Sequence, residues 1–412
     1  MFEIFSKEEI LQTYNNLRSK KNLDRDKNLP IGVDGVSADV FEKNLNFSLN
    51  EIHRKLQISN GQIQYQFGPL LRIERTKSQG GIRALHIPRL RDQIVFRLLH
   101  NEIKKLAEIH GIQIKVTSPY SYVNRFHLHL QNRKDAVVLK TDISRFYDSV
   151  PRHKALLICK NLGMRKELFE LISTWSEHLK IRDGNFSVNR NYTDFLGLPQ
   201  GLSISSLLAE LYVKPIDHAF SSDTGYFRYV DDILILCDNV QEASEKLDKL
   251  RKLTEGLQLK LSSNKTEIVK VSGGFEWLGL LHNTNKIIIP PEKLARTIKP
   301  IGALQKECFR EICHCNTQEE KIVSVRKLIK QIDKFTNGRN NVRLKWYSLC
   351  EDTGQWKKLD SYIHGIISSC LRKAGLSRNY FGKLPSVHAK VLSYKNIKES
   401  QKPPNKGNAP IV

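Results

Sequence analysis

The residues of this chain best suited to chemistry are carboxylates placed where carboxylates are costly. Asp231 and Asp232 stand side by side in Phe227-Arg-Tyr-Val-Asp-Asp-Ile-Leu-Ile-Leu236, with apolar β-formers on both sides. Neither acid can enter an apolar core as a bare charge, and two adjacent ionised carboxylates repel each other. The pair is tolerable at a solvated turn or with a cation between the groups. In isolation a solvated Asp-Asp turn would be the plainer reading. A third acid, Asp142, closes a second apolar run in Ala136-Val-Val-Leu-Lys-Thr-Asp-Ile-Ser-Arg-Phe-Tyr-Asp-Ser-Val150.

The elements that must position these acids follow from their surroundings. Val230 and Ile233 to Leu236 favour extended backbone, so the first stretch reads as a hairpin with acid at its turn. Asp142 falls at a strand end, and Pro151 fits the first turn of a following helix. Gly197-Leu-Pro-Gln-Gly-Leu-Ser-Ile-Ser-Ser-Leu-Leu-Ala-Glu-Leu-Tyr212 is a Gly- and Pro-marked loop entering an apolar helix. Leu70 to Arg75 and Ile82 to Ile87 alternate like two strands of a basic hairpin, joined by Ser78-Gln-Gly-Gly81. Its Arg72, Lys77 and Arg83, with Arg89 beyond it, could neutralise phosphate oxygens or could simply be solvated. Glu3 to about Lys21 and Val240 to Leu257 have helical spacing. Between Asn101 and Lys134 the chain is expected to be helical at first and then irregular and basic. The segments Lys293 to Ile332 and Trp346 to Leu371 read as basic helices, and Ser377 to Val412 as an extended tail.

Three of these stretches resemble motifs A, B and C of reverse transcriptases: Asp-x-x-x-Phe-Tyr-Asp, Leu-Pro-Gln-Gly and Tyr-Val-Asp-Asp occur in that family's order. The resemblance implies an α+β right-hand polymerase fold. Its parts would be an N-terminal helical extension (1–30), fingers (31–135), a palm of antiparallel sheet and helices (136–289), a helical thumb (290–376) and a basic tail (377–412). It further implies catalysis by Asp142, Asp231, Asp232 and Lys265, with metal held at Asp142, Ile143, Asp231 and Asp232. The cofactor would be two Mg²⁺ ions, with Mn²⁺ as a substitute. Lys265 would protonate pyrophosphate, although an exposed lysine is the bland alternative. Lys77 and Arg83 would grip the triphosphate. Tyr147 would lie beneath the incoming sugar and clash with a 2′-hydroxyl, leaving Phe146 as the core aromatic. Gln200 and Gly201 would meet the nucleotide or template, the glycine by close backbone approach. Phe275 to Leu281 resembles the hairpin of motif E. The family's Phe-Arg-Pro-Gly-like stretch is replaced here by Tyr120 to His129, which leaves template contacts there open.

Whole-chain properties agree with a polyanion partner. The 412 residues carry a formal charge of +23, which attracts nucleic acid before other partners. No apolar run approaches the roughly 20 residues that span a bilayer, and no signal-peptide pattern opens the chain, so a cytoplasmic enzyme with no membrane partner is expected. Seven cysteines, an odd number, argue against a disulfide framework. Cys308, Cys313 and Cys315 lack the paired spacing of a zinc knuckle. The expected partners are an RNA template, in the form of a structured noncoding RNA, a DNA product and dNTP, with room for a homo-oligomer. With no nuclease or maturase segment in view, the resemblance is to stand-alone bacterial enzymes of antiphage defence. Retron and group II intron types, and a template-independent protein-primed type, remain as alternatives.

Overall fold

The computed structural model describes residues 3–22, 29–76, 81–114, 119–130, 133, 135–183, 189–190, 197–283, 286–337, 348–350, 352–382 and 384–391. The chain divides into two compact units, residues 1–116 with 139–268, and residues 117–138 with 269–412.

In the first unit, alternating residues pair as expected. Leu70–Thr76 and Ile82–Ile87 form an antiparallel hairpin in which Arg75 lies across from Arg83, and Leu70 to Arg72 also pair in parallel with Ile181–Asp183. Helix Leu90–Ile109 follows because apolar residues recur three and four apart: Ile94, Val95, Leu98, Leu99 and Ile103 are all buried. Helix Ser203–Tyr212 packs against it. Phe96 stacks on Phe67 at 4.4 Å and meets Trp175 edge-on at 4.9 Å, which fastens helix Lys166–Glu177 to the same core. A four-stranded sheet runs in the order Glu267–Lys270, Val137–Asp142, Asp232–Cys237, Tyr226–Tyr229. Helix Val240–Gly256 packs on the strand Asp232–Cys237. Its start is fixed by Asn239, whose side chain accepts from the Glu242 amide at 2.9 Å.

The second unit is mainly helical. Pro291–His314, Gln318–Asn337 and Thr353–Lys373 pack on one another. One expectation needs correction. Residues Pro119–Leu130 form a helix rather than an irregular segment. Val123, Phe126 and Leu130 are buried at spacings of three and four, and Phe126 inserts among Phe275, Trp277 and His282 at 5.3 to 5.8 Å. That packing outweighs the basic and aromatic composition from which irregularity was inferred. Phe275–Trp277 pairs with Leu280–His282, which pairs with Ile287–Ile288. Leu278 (φ 46°) and Gly279 (φ 86°) form a two-residue turn with both residues left-handed, which matches the twist of a hairpin.

All seven cysteines are free thiols, and Cys308 is buried within helix Pro291–His314. Among the described residues no helix is long and apolar enough to cross a membrane. Within the expected extended tail, residues 387–391 form a helical turn instead. Its start is capped by Asp360, which accepts from the Val387 amide at 2.7 Å and the Ser386 hydroxyl at 2.6 Å. Residues 392–412 lie outside the described residues.

Candidate active site

Asp142 is the last residue of its strand, and main-chain bonds fix it from both sides. The Ile143 amide donates to the Asp231 carbonyl at 3.1 Å, tying the strand end to the acidic turn. On the other flank the Ser262 amide donates to the Asp142 carbonyl and the Ser144 amide to the Lys260 carbonyl, both at 2.8 Å. The hairpin itself turns in two residues. Tyr229 pairs with Asp232, leaving Val230 and Asp231 as the loop. Acids more than 80 residues apart are thereby brought onto neighbouring strands.

Their electrostatics record crowding. Asp142 is 5 % exposed. Burial pushes the Asp231 carboxyl above its usual range, aided by Asp142 and opposed by its own main-chain amide, Lys265 and Arg83. Burial, then Asp231 and Asp142, push Asp232 up to about 6. Lys265 ends a short turn, Ser263–Lys265, and its ammonium pairs with Asp142 Oδ2. That contact, with Asp232 and Asp231 adding to it, raises the Lys265 ammonium above its usual value. The other oxygen, Oδ1 of Asp142, is buried and has no hydrogen-bond partner among the described residues.

Among the described residues no three His, Cys, Asp or Glu side chains already stand close enough together to grip a metal. The donor set nonetheless fits a hard divalent cation: three carboxylates, one with an unpartnered buried oxygen, faced by a lysine that occupies one cation position. Ile143 is 1 % exposed, and its hydrocarbon side chain offers no donor, so only its carbonyl could take part.

The residues expected around the nucleotide divide into three groups. Phe146 is buried and Tyr147 half-buried, the split expected of adjacent aromatics. Burial raises the Tyr147 hydroxyl above its usual value, and Asp231 adds to the shift. The Leu198 amide donates to the Tyr147 carbonyl at 2.8 Å, seating the Gly197 loop against this turn. A side chain at Gly197 would meet the Asp148 main chain at 2.4 Å. At the far end of the loop, the His86 amide donates to the Gln200 carbonyl at 2.7 Å. Gly201 has φ +117°, and a Cβ there would stand 2.7 Å from the His86 carbonyl oxygen, so the packing of this loop on the His86 main chain requires glycine.

Arg83 is exposed opposite Arg75, a like-charge pair that an anion would relieve. Lys77 lies outside the described residues. Arg89 is committed elsewhere: its Nε donates at 2.7 Å to Asp92, which is fully buried. Arg72 pairs with Glu74 at 2.8 Å and Asp183 at 3.2 Å. Sequence reasoning missed Arg228, which sits 3 % exposed directly behind the acidic turn. The available signal was a charge inside an otherwise apolar strand, since such a charge must be paired.

A family profile described as reverse transcriptase (RNA-dependent DNA polymerase) matches residues 75–282, just over half of the chain. Protein YkfC of Escherichia coli is 24 % identical over 292 residues, which is 60 % of this chain and 74 % of that protein. An uncharacterized 91 kDa protein in the cob intron of Schizosaccharomyces pombe is 24 % identical over 55 % of this chain and 26 % of its own length. A putative COX1/OXI3 intron 2 protein of Saccharomyces cerevisiae is 23 % identical over 50 % of this chain and 23 % of its length. The chain thus spans about three quarters of the first relative and about a quarter of the two intron proteins. Among solved structures, a Candida albicans telomerase with a telomeric RNA fragment aligns with TM-score 0.42 and 11 % identity over 88 % of this chain and 68 % of that one.

Proposed function

The chain belongs to the reverse transcriptase family of RNA-directed DNA polymerases, with its right-hand polymerase fold, and from that premise we propose that Asp142, Asp231 and Asp232 form its site of nucleotidyl transfer. One observation carries this reading. Asp142 ends one strand and Asp231 and Asp232 stand at the turn and start of its neighbour, with Lys265 on one oxygen of Asp142 and no partner among the described residues on the other. Such a cluster has capacity for more positive charge than the protein supplies.

The three carboxylates, with the Ile143 carbonyl, would hold two Mg²⁺ ions, which neutralise charge at the transferring phosphate and activate the attacking hydroxyl. Lys265, once released from Asp142, is placed to donate a proton to leaving pyrophosphate. Arg83, with Lys77 six residues before it in sequence, takes the triphosphate oxygens. Tyr147 bars a 2′-hydroxyl, and the Gln200–Gly201 loop holds the paired base. In this reading residues 31–135 are the fingers, 136–289 the palm and 290–376 the thumb. The template is a structured noncoding RNA, and the setting is antiphage defence. The +23 charge supports an RNA partner, and the motif resemblance to bacterial defence enzymes supports that setting.

The test is extension of a DNA primer on an RNA template by wild type and by Asp231→Ala/Asp232→Ala, with RNA affinity measured alongside. We expect synthesis to fall by at least roughly 1,000-fold with RNA binding retained. Unchanged synthesis by the double variant overturns the assignment. Sequencing RNA and DNA that copurify with the protein tests the template: one enriched structured RNA supports the reading, and a random transcript population contradicts it.

A further inference from the structure

A buried ionic cluster behind the acidic hairpin plays no part in the chemistry above. Its centre is Arg228, on strand Tyr226–Tyr229 and three residues before Asp231. A guanidinium carries five N–H donors in a rigid fork, and here all five have acceptors. Nε donates to Asp217 Oδ1 at 2.7 Å, and Nη2 to Asp217 Oδ2 at 2.6 Å and Glu210 Oε1 at 3.0 Å. Nη1 donates to Glu210 Oε2 and to the Val230 carbonyl, both at 2.9 Å. Lys214 also reaches Glu210 at 3.0 Å and Asp217 at 3.2 Å, so two cations balance two carboxylates. Burial opposes the charge on Arg228, and the two carboxylates outweigh that opposition.

The bond to Val230 differs in kind from the other four. It holds the main chain of the turn that presents the acids. Val230 has φ +60°, a strained conformation that β-branched residues rarely adopt. The peptide unit whose carbonyl Arg228 holds is the same one whose N–H belongs to Asp231, and that N–H acts on the Asp231 carboxylate. Fixing this peptide plane fixes the direction in which Asp231 leaves the backbone. Glu210 lies on helix Ser203–Tyr212, which starts just after Gly201, so the same guanidinium also ties the hairpin to the element behind the nucleotide loop.

We propose that Arg228 is a positioning residue for nucleotidyl transfer, holding Val230 in left-handed backbone through its carbonyl and so setting the orientation of Asp231. This inference rests on the acidic hairpin being the polymerase site. Lysine at 228 would keep the charge but lose the fork, because three ammonium donors cannot serve five acceptors.

The experiment is single-nucleotide extension kinetics for wild type, Arg228→Lys, Val230→Gly and the double variant, with Asp231→Ala as reference. Arg228→Lys should lower kcat by roughly 100-fold, with the dNTP KM and primer–template affinity within about threefold of wild type. Glycine takes positive φ without strain, so adding Val230→Gly to Arg228→Lys should restore kcat by about tenfold, a gain absent in the wild-type background. An equal effect of Val230→Gly in both backgrounds would assign Arg228 to charge burial alone and overturn the proposal. So would near-wild-type kcat in Arg228→Lys. If Arg228→Lys alone does not fold, recovery of cooperative unfolding in the double variant supports the proposal, and failure to recover overturns it. Loss of extension in Asp231→Ala with no effect of Arg228→Lys sinks only this inference, whereas extension intact in Asp231→Ala sinks the site itself.

Discussion

Tyr147 is the residue at which one side chain is expected to select the sugar. Phe146 fills the core, which leaves the Tyr147 ring half-buried and electrostatically coupled to Asp231. Tyr147→Val removes the ring and leaves a small apolar side chain. The expected outcome is a drop of roughly ten- to hundredfold in discrimination between dNTP and rNTP, read as the ratio of their kcat/KM values. Unchanged discrimination would remove Tyr147 from that role. That Phe146 rather than Tyr147 would be the buried member was legible, because adjacent side chains seldom face the same way. The basic residues were not legible one by one. Arg83 and Arg89 look alike in sequence, yet one is exposed beside another arginine and the other is locked to the buried Asp92. A cation's role is decided by its partner, and partners distant in sequence leave no local pattern.

At the scale of elements, the hairpins were readable because their apolar residues alternate, and the loop entering helix Ser203–Tyr212 because glycine and proline mark it. Gly201→Ala tests that loop. With φ +117° and His86 main chain 2.7 Å from the added carbon, the loop must shift, and we expect the dNTP KM to rise about tenfold and stability to fall by about 1–3 kcal/mol. Steady-state kinetics and urea unfolding measure the two effects. Helix Pro119–Leu130 was not readable, because its stability comes from Phe126 packing among residues about 150 positions later. One member of that aromatic cluster, His282, is fully buried and bonded to the Trp277 carbonyl at 3.2 Å. Burial lowers its pKa to about 4, against about 6.5 for an unfolded histidine. The unfolded chain therefore binds the proton first, and the stability of the neutral, folded form is lost as pH falls from about 6.5 towards 4. Between pH 7 and pH 5, wild type should lose about 1–2 kcal/mol more unfolding free energy than His282→Gln. Parallel losses would contradict the assignment.

At the scale of the whole molecule, charge sets how the protein meets its substrate. With an excess of 23 positive charges, binding to an RNA–DNA duplex should release many counterions, and affinity should fall by about 1,000-fold or more between 50 and 200 mM salt. A salt-independent affinity would mean that the excess lies away from the duplex. The polymerase class was legible because three acids, a glycine loop and an adjacent aromatic pair come in one order. The Arg228 cluster was not, since Glu210, Lys214 and Asp217 read in sequence as ordinary helix-surface charges and only the fold closes them around a guanidinium. The central claim is that Asp142 and the acidic hairpin together hold divalent cations. Its most direct test is titration of Mn²⁺, followed by the paramagnetic resonance of the free ion, into complexes with primer–template and a non-reactive nucleotide. Wild type should take up two ions that both Asp142→Asn and Asp231→Asn fail to retain at the same concentrations, whereas equal uptake by all three proteins would contradict the account.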